Sequence, residues 1–178
     1  MRPRSPAVIG EREKALIELM PALRRFARAL TLNHDAADEL LQDCLERALK
    51  KLHLLRQDES LRAWAFTLMH RVFCNNLRSL RRRRQLEAAH ARAFDESVGP
   101  AQPGVAELRA VIERLGDLPE EQRAVIVLIA LEEVSYQEAA RILEIPLGTV
   151  MSRLARGREK LRNLVDSTRA PERAAASE

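Results

Sequence analysis

The sequence predicts an all-α protein of two small helical domains, an N-terminal helical bundle and a C-terminal helix-turn-helix domain, joined by a flexible linker. Three observations predict it. Apolar residues make up 46% and recur at steps of three and four, and β-branched residues rarely alternate with polar ones. Glycine is scarce, at 6 in 178 residues, which disfavours a turn-rich sandwich or barrel. The stretch 86–105 loses the apolar periodicity, and Gly99, Pro100, Pro103 and Gly104 break any helix there. The length suits one medium domain or two small ones and is enough to bury a real core.

The elements follow in order. In the first domain, residues 1–85, a helix over about 11–31 places Leu16, Leu19/Met20, Leu23, Phe26/Ala27 and Leu30 on one face. A second helix follows an Asn33 or Asp35 cap and runs to about Leu52. Residues 52–60 connect it to a third helix, which starts after Ser60 and continues into an arginine run. The linker spans 86–105. In the second domain, 106–166, helices are predicted over about 105–116, 119–132, 136–143 and 147–165. Asp117 can cap the second of these, with Pro119 tolerated in its first turn. Ser135-Tyr-Gln-Glu138 opens the third as a capping box. The small, charged, Pro-containing tail 167–178 is expected to be disordered.

Several function classes drop out. The longest apolar run, Ala124 to Leu131, is far short of the roughly 20 residues of a membrane helix, so no membrane insertion is expected. The basic N-terminus lacks the apolar stretch of a signal peptide. Cys44 and Cys74 match neither a disulfide framework nor a zinc pattern. A soluble, reduced, cytoplasmic protein is expected. His70 and Cys74 stand four apart, but two ligands do not make a metal site, and His34, His53 and His90 show no cluster. Neither a metal nor another cofactor is expected.

The net charge of +4 conceals a pattern. Residues 1–85 carry 18 Lys/Arg against 10 Asp/Glu, +8; residues 86–144 carry 5 against 12, −7; residues 145–178 carry 7 against 4, +3. Two basic regions flanking an acidic middle suggest two contacts on a polyanion, with a merely solvated surface as the alternative.

Tyr136 to Arg158 carries the strongest local signal. A short helix with Ala139/Ala140 and Ile142/Leu143 is followed by Glu144-Ile145-Pro146 and a longer helix. Small alanines allow a close helix crossing, and Pro146 stops the first helix and sets the entry to the second. This is the pattern of a DNA-binding helix-turn-helix. On the second helix Leu147, Val150, Leu154, Leu161 and Leu164/Val165 form the expected buried seam. Thr149, Ser152, Arg153, Arg156 and Lys160 occupy the other side, with donors for phosphates and base edges. An ordinary amphipathic helix with a solvated basic face would share the pattern.

The third helix of the first domain has a broad apolar face of Leu61, Ala65, Leu68, Val72, Phe66, Met69, Phe73, Leu77 and Leu80. Thr67, Arg71, Asn75, Arg78 and Arg82 form a polar stripe at steps of 4, 4, 3 and 4, and Arg81, Arg82, Arg83 and Arg84 end the run. Such a stripe tracks a phosphate backbone with salt-dependent affinity. The helix dipole would account for one or two arginines, not for a stripe and a run. Between the basic helices, Asp38, Glu39, Gln42 and Asp43 make an acidic face, with Glu46 beyond it. It would repel DNA and suits a basic protein partner; surface charge with a Glu46–Lys50 pair is the plainer reading.

These residues resemble the extracytoplasmic-function (ECF) sigma factors of the sigma-70 family. Ala37-Asp-Glu-Leu-Leu-Gln-Asp-Cys-Leu-Glu-Arg-Ala48 resembles the polymerase-binding helix, and Leu61 to Arg84 the promoter-melting and −10-element helix. Leu118-Pro-Glu-Glu-Gln-Arg123, Ser135-Tyr-Gln-Glu-Ala-Ala140 and Ile145-Pro-Leu-Gly-Thr-Val-Met-Ser-Arg-Leu-Ala-Arg-Gly-Arg158 resemble the −35-binding domain. The stretches span most of 15–165 in the family's order. The resemblance implies core RNA polymerase as partner, through its β′ clamp helices and β flap, together with promoter DNA and an anti-sigma factor. Asp38, Glu39, Gln42 and Asp43 would dock on the clamp helices. The connector 52–60 would help capture an unstacked −10 base. Arg71, Asn75, Arg78 and Arg81 to Arg84 would hold nearby DNA, with Trp64 in the core rather than as a stacking platform. Ser152 and Arg156 would meet −35 bases, Thr149 would lie on the same DNA-facing side, and Arg153 and Arg158 would meet phosphates. Two residues depart from the pattern: Met151 stands where many relatives carry Lys or Arg, and Glu144 where the turn often has Gly.

Other classes fit less well. A DNA recombinase would need an activated nucleophile, but the serines fall mostly in caps, linkers and tails, so no enzyme is expected. A sigma mimic that sequesters an anti-sigma factor need not keep Arg81 to Arg84 or the basic final helix. A simple repressor would leave the acidic helix unexplained.

Overall fold

Pro21 decides the first departure from the expected elements. Its ring removes an N–H and clashes with the preceding turn, so a helix running through it kinks or breaks. The computed structural model describes residues 6–56, 59–87 and 115–175, with side chains over 10–56, 59–82 and 115–164. The helix expected over 11–31 is two helices, α1 (Pro6–Glu18) and α2 (Met20–Thr31), with Leu19 between them and Pro21 in the first turn of α2. Leu32 ends α2 in the left-handed region (φ 57°), its N–H donating to the Arg28 carbonyl. Asn33, one of the two residues expected to do so, caps α3 (His34–Lys51); its side chain accepts from Ala36 N–H at 2.9 Å. A single 3-10 turn, Leu52–Leu54, follows. Ser60 then opens α4 (Leu61–Glu87), its hydroxyl accepting from Ala63 N–H at 3.3 Å.

The described residues fall into two compact units, one on either side of residue 101. In the first, α2 packs on α3 and α3 on α4. Leu23, Phe26, Ala27 and Leu30 meet Ala37, Leu40, Leu41, Cys44 and Ala48, and Ala65, Phe66, Met69 and Val72 complete the core. The Phe26 and Phe66 rings pack edge-to-face with centroids 5.3 Å apart, worth about 0.5–1.5 kcal/mol beyond the area they bury. Leu80, expected on the apolar face of α4, is 49% exposed because the helix there has run past the bundle. Trp64 is half-buried.

Residues 88–114 lie outside the described residues, and with them most of the expected linker 86–105 and of the helix expected over about 105–116. In the second unit, α5 (Glu120–Ile126) continues into a π turn, Val127–Leu131, and the helix-turn-helix follows as α6 (Tyr136–Leu143) and α7 (Leu147–Ala175). Pro119, not Asp117, stands at the N-cap of α5, and it has no side-chain oxygen to offer. The buried Arg123 guanidinium instead donates to the carbonyls of Leu115 (3.4 Å) and Leu118 (3.2 Å), binding the approach segment to the helix. Burial lowers the Arg123 pKa, with Glu120 opposing that shift. Ser135 caps α6, accepting from Glu138 N–H at 3.2 Å. The backbone of α7 runs to Ala175, so the tail expected from Ser167 begins on helical backbone; its side chains and residues 176–178 lie outside the described residues.

Candidate nucleic-acid and polymerase interfaces

The turn of the helix-turn-helix is a left-handed cap. Glu144 has φ 57° and ψ 42°, and Ile145 N–H reaches back to the Ala140 carbonyl at 3.1 Å. Pro146 then accepts from Thr149 and Val150 N–H groups and starts α7. Ile142 and Leu143 of α6 face Val150 and Leu154 of α7 in one buried seam. The seam also takes in Gly157. A Cβ there would stand 2.5 Å from Ile126 Cδ1, so this glycine sets how closely α7 packs on α5.

Leu147, expected in the seam, is 40% exposed: it stands at the first position of α7, before the helix reaches the cover of α5 and α6. Ser152 and Arg156 share an exposed face, and the Ser152 hydroxyl donates to the Thr149 carbonyl at 3.1 Å. Thr149 is half-buried. Arg153 turns inward to Glu121 of α5, at 2.9 Å. Arg158 is exposed, but two positions from Arg156 is about 200° around a helix, so the two do not share a face.

In the first unit, Arg71, Asn75, Arg78 and Arg82 are all exposed and lie within an arc of about 60° on α4. The Arg78 guanidinium donates to Asn75 Oδ1 at 3.4 Å. Arg81 is exposed to one side of that arc. Arg83 and Arg84 lie on the α4 backbone, with side chains outside the described residues. On α3, Asp38, Glu39 and Gln42 are exposed and Asp43 half-buried, on the side opposite the buried Ala37, Leu41, Cys44 and Ala48. Asp38 pairs with Arg24 at 3.6 Å. On α3 Arg47 and Asp43 form an i,i+4 ion pair (3.8 Å), and Glu46 accepts from Gln42 at 3.3 Å. These exposed pairs are worth little in stability and leave carboxylate oxygens for a partner.

Arg12 is the residue that sequence patterns do not reveal. From α1 its guanidinium donates to the carbonyls of Leu55 (2.6 Å), Arg56 (3.2 Å) and Leu52 (3.5 Å). It thereby holds the start of the 52–60 connector. Its partners are backbone atoms 40 or more residues away, so no motif marks it. His70 Nε2 and Cys74 Sγ are in contact at 3.6 Å on α4. Among the described residues, no three His, Cys, Asp or Glu side chains are grouped to hold a metal ion. Cys44 donates weakly to the Ala65 carbonyl at 3.9 Å, and burial pushes its thiol up to about 12, so it stays protonated. No helix of the described residues is long and apolar enough to cross a membrane.

Two family models match the chain: "Sigma2 domain of PhyR" over residues 16–70 and "Sigma-70, region 4" over residues 108–161. The chain is similar to the ECF RNA polymerase sigma factor EcfG of Rhodopseudomonas palustris, with 34% identity over 154 residues, covering 84% of this chain and 82% of that one. Among solved structures it resembles the sigma factor RpoE of Bartonella quintana in complex with the anti-sigma factor NepR (TM-score 0.76, 33% identity, 86% of this chain and 96% of that one). It also resembles CnrH in complex with the cytosolic domain of CnrY (TM-score 0.64, 26% identity, 88% of each chain).

Proposed function

The chain belongs to the ECF sigma factors of the sigma-70 family, and from that premise we propose how it binds core RNA polymerase and directs it to a promoter. The acidic face of Asp38, Glu39, Gln42 and Asp43 docks on the β′ clamp helices, and the second unit meets the β flap. Arg71, Asn75, Arg78 and Arg81 to Arg84 hold the DNA around the −10 element, whose unstacked base enters beside the connector that Arg12 supports. Ser152 and Arg156 of α7 read −35 base edges from the major groove, with Thr149 beside them and Arg158 on phosphate. Arg153 joins the phosphate contact by exchanging Glu121 for DNA. The action is binding and positioning rather than catalysis, and its place is the cytoplasm.

The observation that carries this reading is the separation of opposite charges onto different helices of one unit. An exposed acidic face on α3 accompanies an arginine stripe on α4, which suits one protein partner and one nucleic-acid partner. An anti-sigma partner is proposed from the two related complexes, in which the similar chains are bound by NepR and by CnrY. Run-off transcription with purified core polymerase on a genomic library tests the proposal. Promoter-specific transcripts that depend on the added chain are expected; their complete absence would overturn it.

A further inference from the structure

Around α7, the buried Val150, Leu154 and Gly157 define an inner side, and Gly148, Ser152 and Ala155 point the opposite way. The two edges between them differ in chemistry. One edge carries Thr149, Arg153, Arg156 and Lys160. The other carries Leu147 and Met151, and Arg158 follows about two turns after Met151. Met151 is 53% exposed and Leu147 40% exposed, so this edge offers apolar surface to an outside partner. Arg158 stands on this same edge, which matches a polyanion better than an apolar protein surface.

A side chain without a donor cannot read the N7 and O6 acceptors of guanine. The major groove displays one apolar group, the C5-methyl of thymine, and apolar side chains recognise it by contact. The thioether of methionine is flexible and polarizable, and it adapts to such a methyl group. We propose that Met151, flanked by Leu147 and Ala155, is a specificity-determining residue of the −35 contact and reads thymine through its C5-methyl group. This rests on the reading of α7 as the −35-binding helix.

The test deletes the methyl group without altering hydrogen bonding. Holoenzyme made from core polymerase and the full chain selects its preferred promoter from random duplexes. Each thymine of the selected −35 half is then replaced by uracil. At one such position the wild type should lose about three- to fivefold in affinity, the size expected for one buried methyl. Met151→Ala should bind thymine and uracil duplexes equally there; its exposure leaves the core intact, which circular dichroism checks. Indifference of the wild type to every uracil would overturn the inference, as would an equal loss in Met151→Ala. Weaker binding of Met151→Ala to polymerase without DNA would assign the edge to a protein contact and overturn it too. Failure to select any −35 sequence is a different result: it removes the underlying reading of α7, whereas a selected site that ignores the methyl removes only the role of Met151.

Discussion

Glu144 holds a left-handed backbone conformation that costs an L-residue with a Cβ on the order of 1 kcal/mol and glycine almost nothing. Glu144→Gly is therefore expected to stabilise the protein by about 0.5–1 kcal/mol, read as a higher urea midpoint at unchanged slope. Gly157 is the opposite case, because its missing side chain is what the packing uses. Gly157→Val places atoms against Ile126 and Gln122 and should destabilise the second unit by about 1–3 kcal/mol. Cys44 makes a prediction in pH. Its thiol ionises near 9.0 when unfolded and near 12 when folded, so above 9.0 the unfolded chain loses a proton that the folded chain keeps. The contribution of Cys44 to stability is full below pH 9.0 and declines as pH rises towards 12. Cys44→Ala should flatten the fall of stability with pH over that window in alkaline denaturation; an unchanged slope would count against the assignment. The left-handed turn was legible as an oddity, since Glu144 stands where glycine is common. Gly157 was not, because nothing in a one-dimensional pattern distinguishes a helical glycine that touches another helix from one that does not.

At the scale of elements, α3 and α4 carry opposite charges, an acidic face on one and an arginine stripe on the other. Reversing Asp38, Glu39 and Asp43 to Lys should abolish polymerase binding while leaving the DNA affinity of the second unit intact, measured by polymerase pull-down and by gel shift on a −35 duplex. Unchanged polymerase affinity would show that α3 is not the docking helix. On α4, removing the side chains of Arg71, Arg78 and Arg82 should lower the slope of log affinity against log salt by about 0.7 for each single-strand phosphate that an arginine no longer neutralises. The amphipathic faces of both helices were legible, because a step of three or four residues places side chains on one face whatever surrounds the helix. What the periodicity missed were its ends and neighbours. Pro21 splits the first helix despite an unbroken apolar pattern. Leu147 and Leu80 fit the apolar pattern yet project beyond their cover. Arg153 sits on the polar side but is drawn to Glu121 across the helix pair.

At the scale of the molecule, the two units have separate cores, so damage to one can be told from damage to the other. Gly157→Val should remove promoter-specific transcript in a run-off assay at a temperature where the second unit is unfolded, while polymerase binding through α3 persists. The charge partition of +8, −7 and +3 was visible in the residues, and so were the helical class, the helix-turn-helix and the family. These depend on local spacing, on capping residues such as Asn33 and Ser135, and on residue order, all of which a sequence holds explicitly. Arg12 reaching the carbonyls of Leu52, Leu55 and Arg56, Arg123 holding Leu115 and Leu118, and Arg153 meeting Glu121 depend on distances between different elements. Such partners are chosen by packing, and the tertiary structure alone decides them because one long arginine side chain can reach many places until the chain around it is folded.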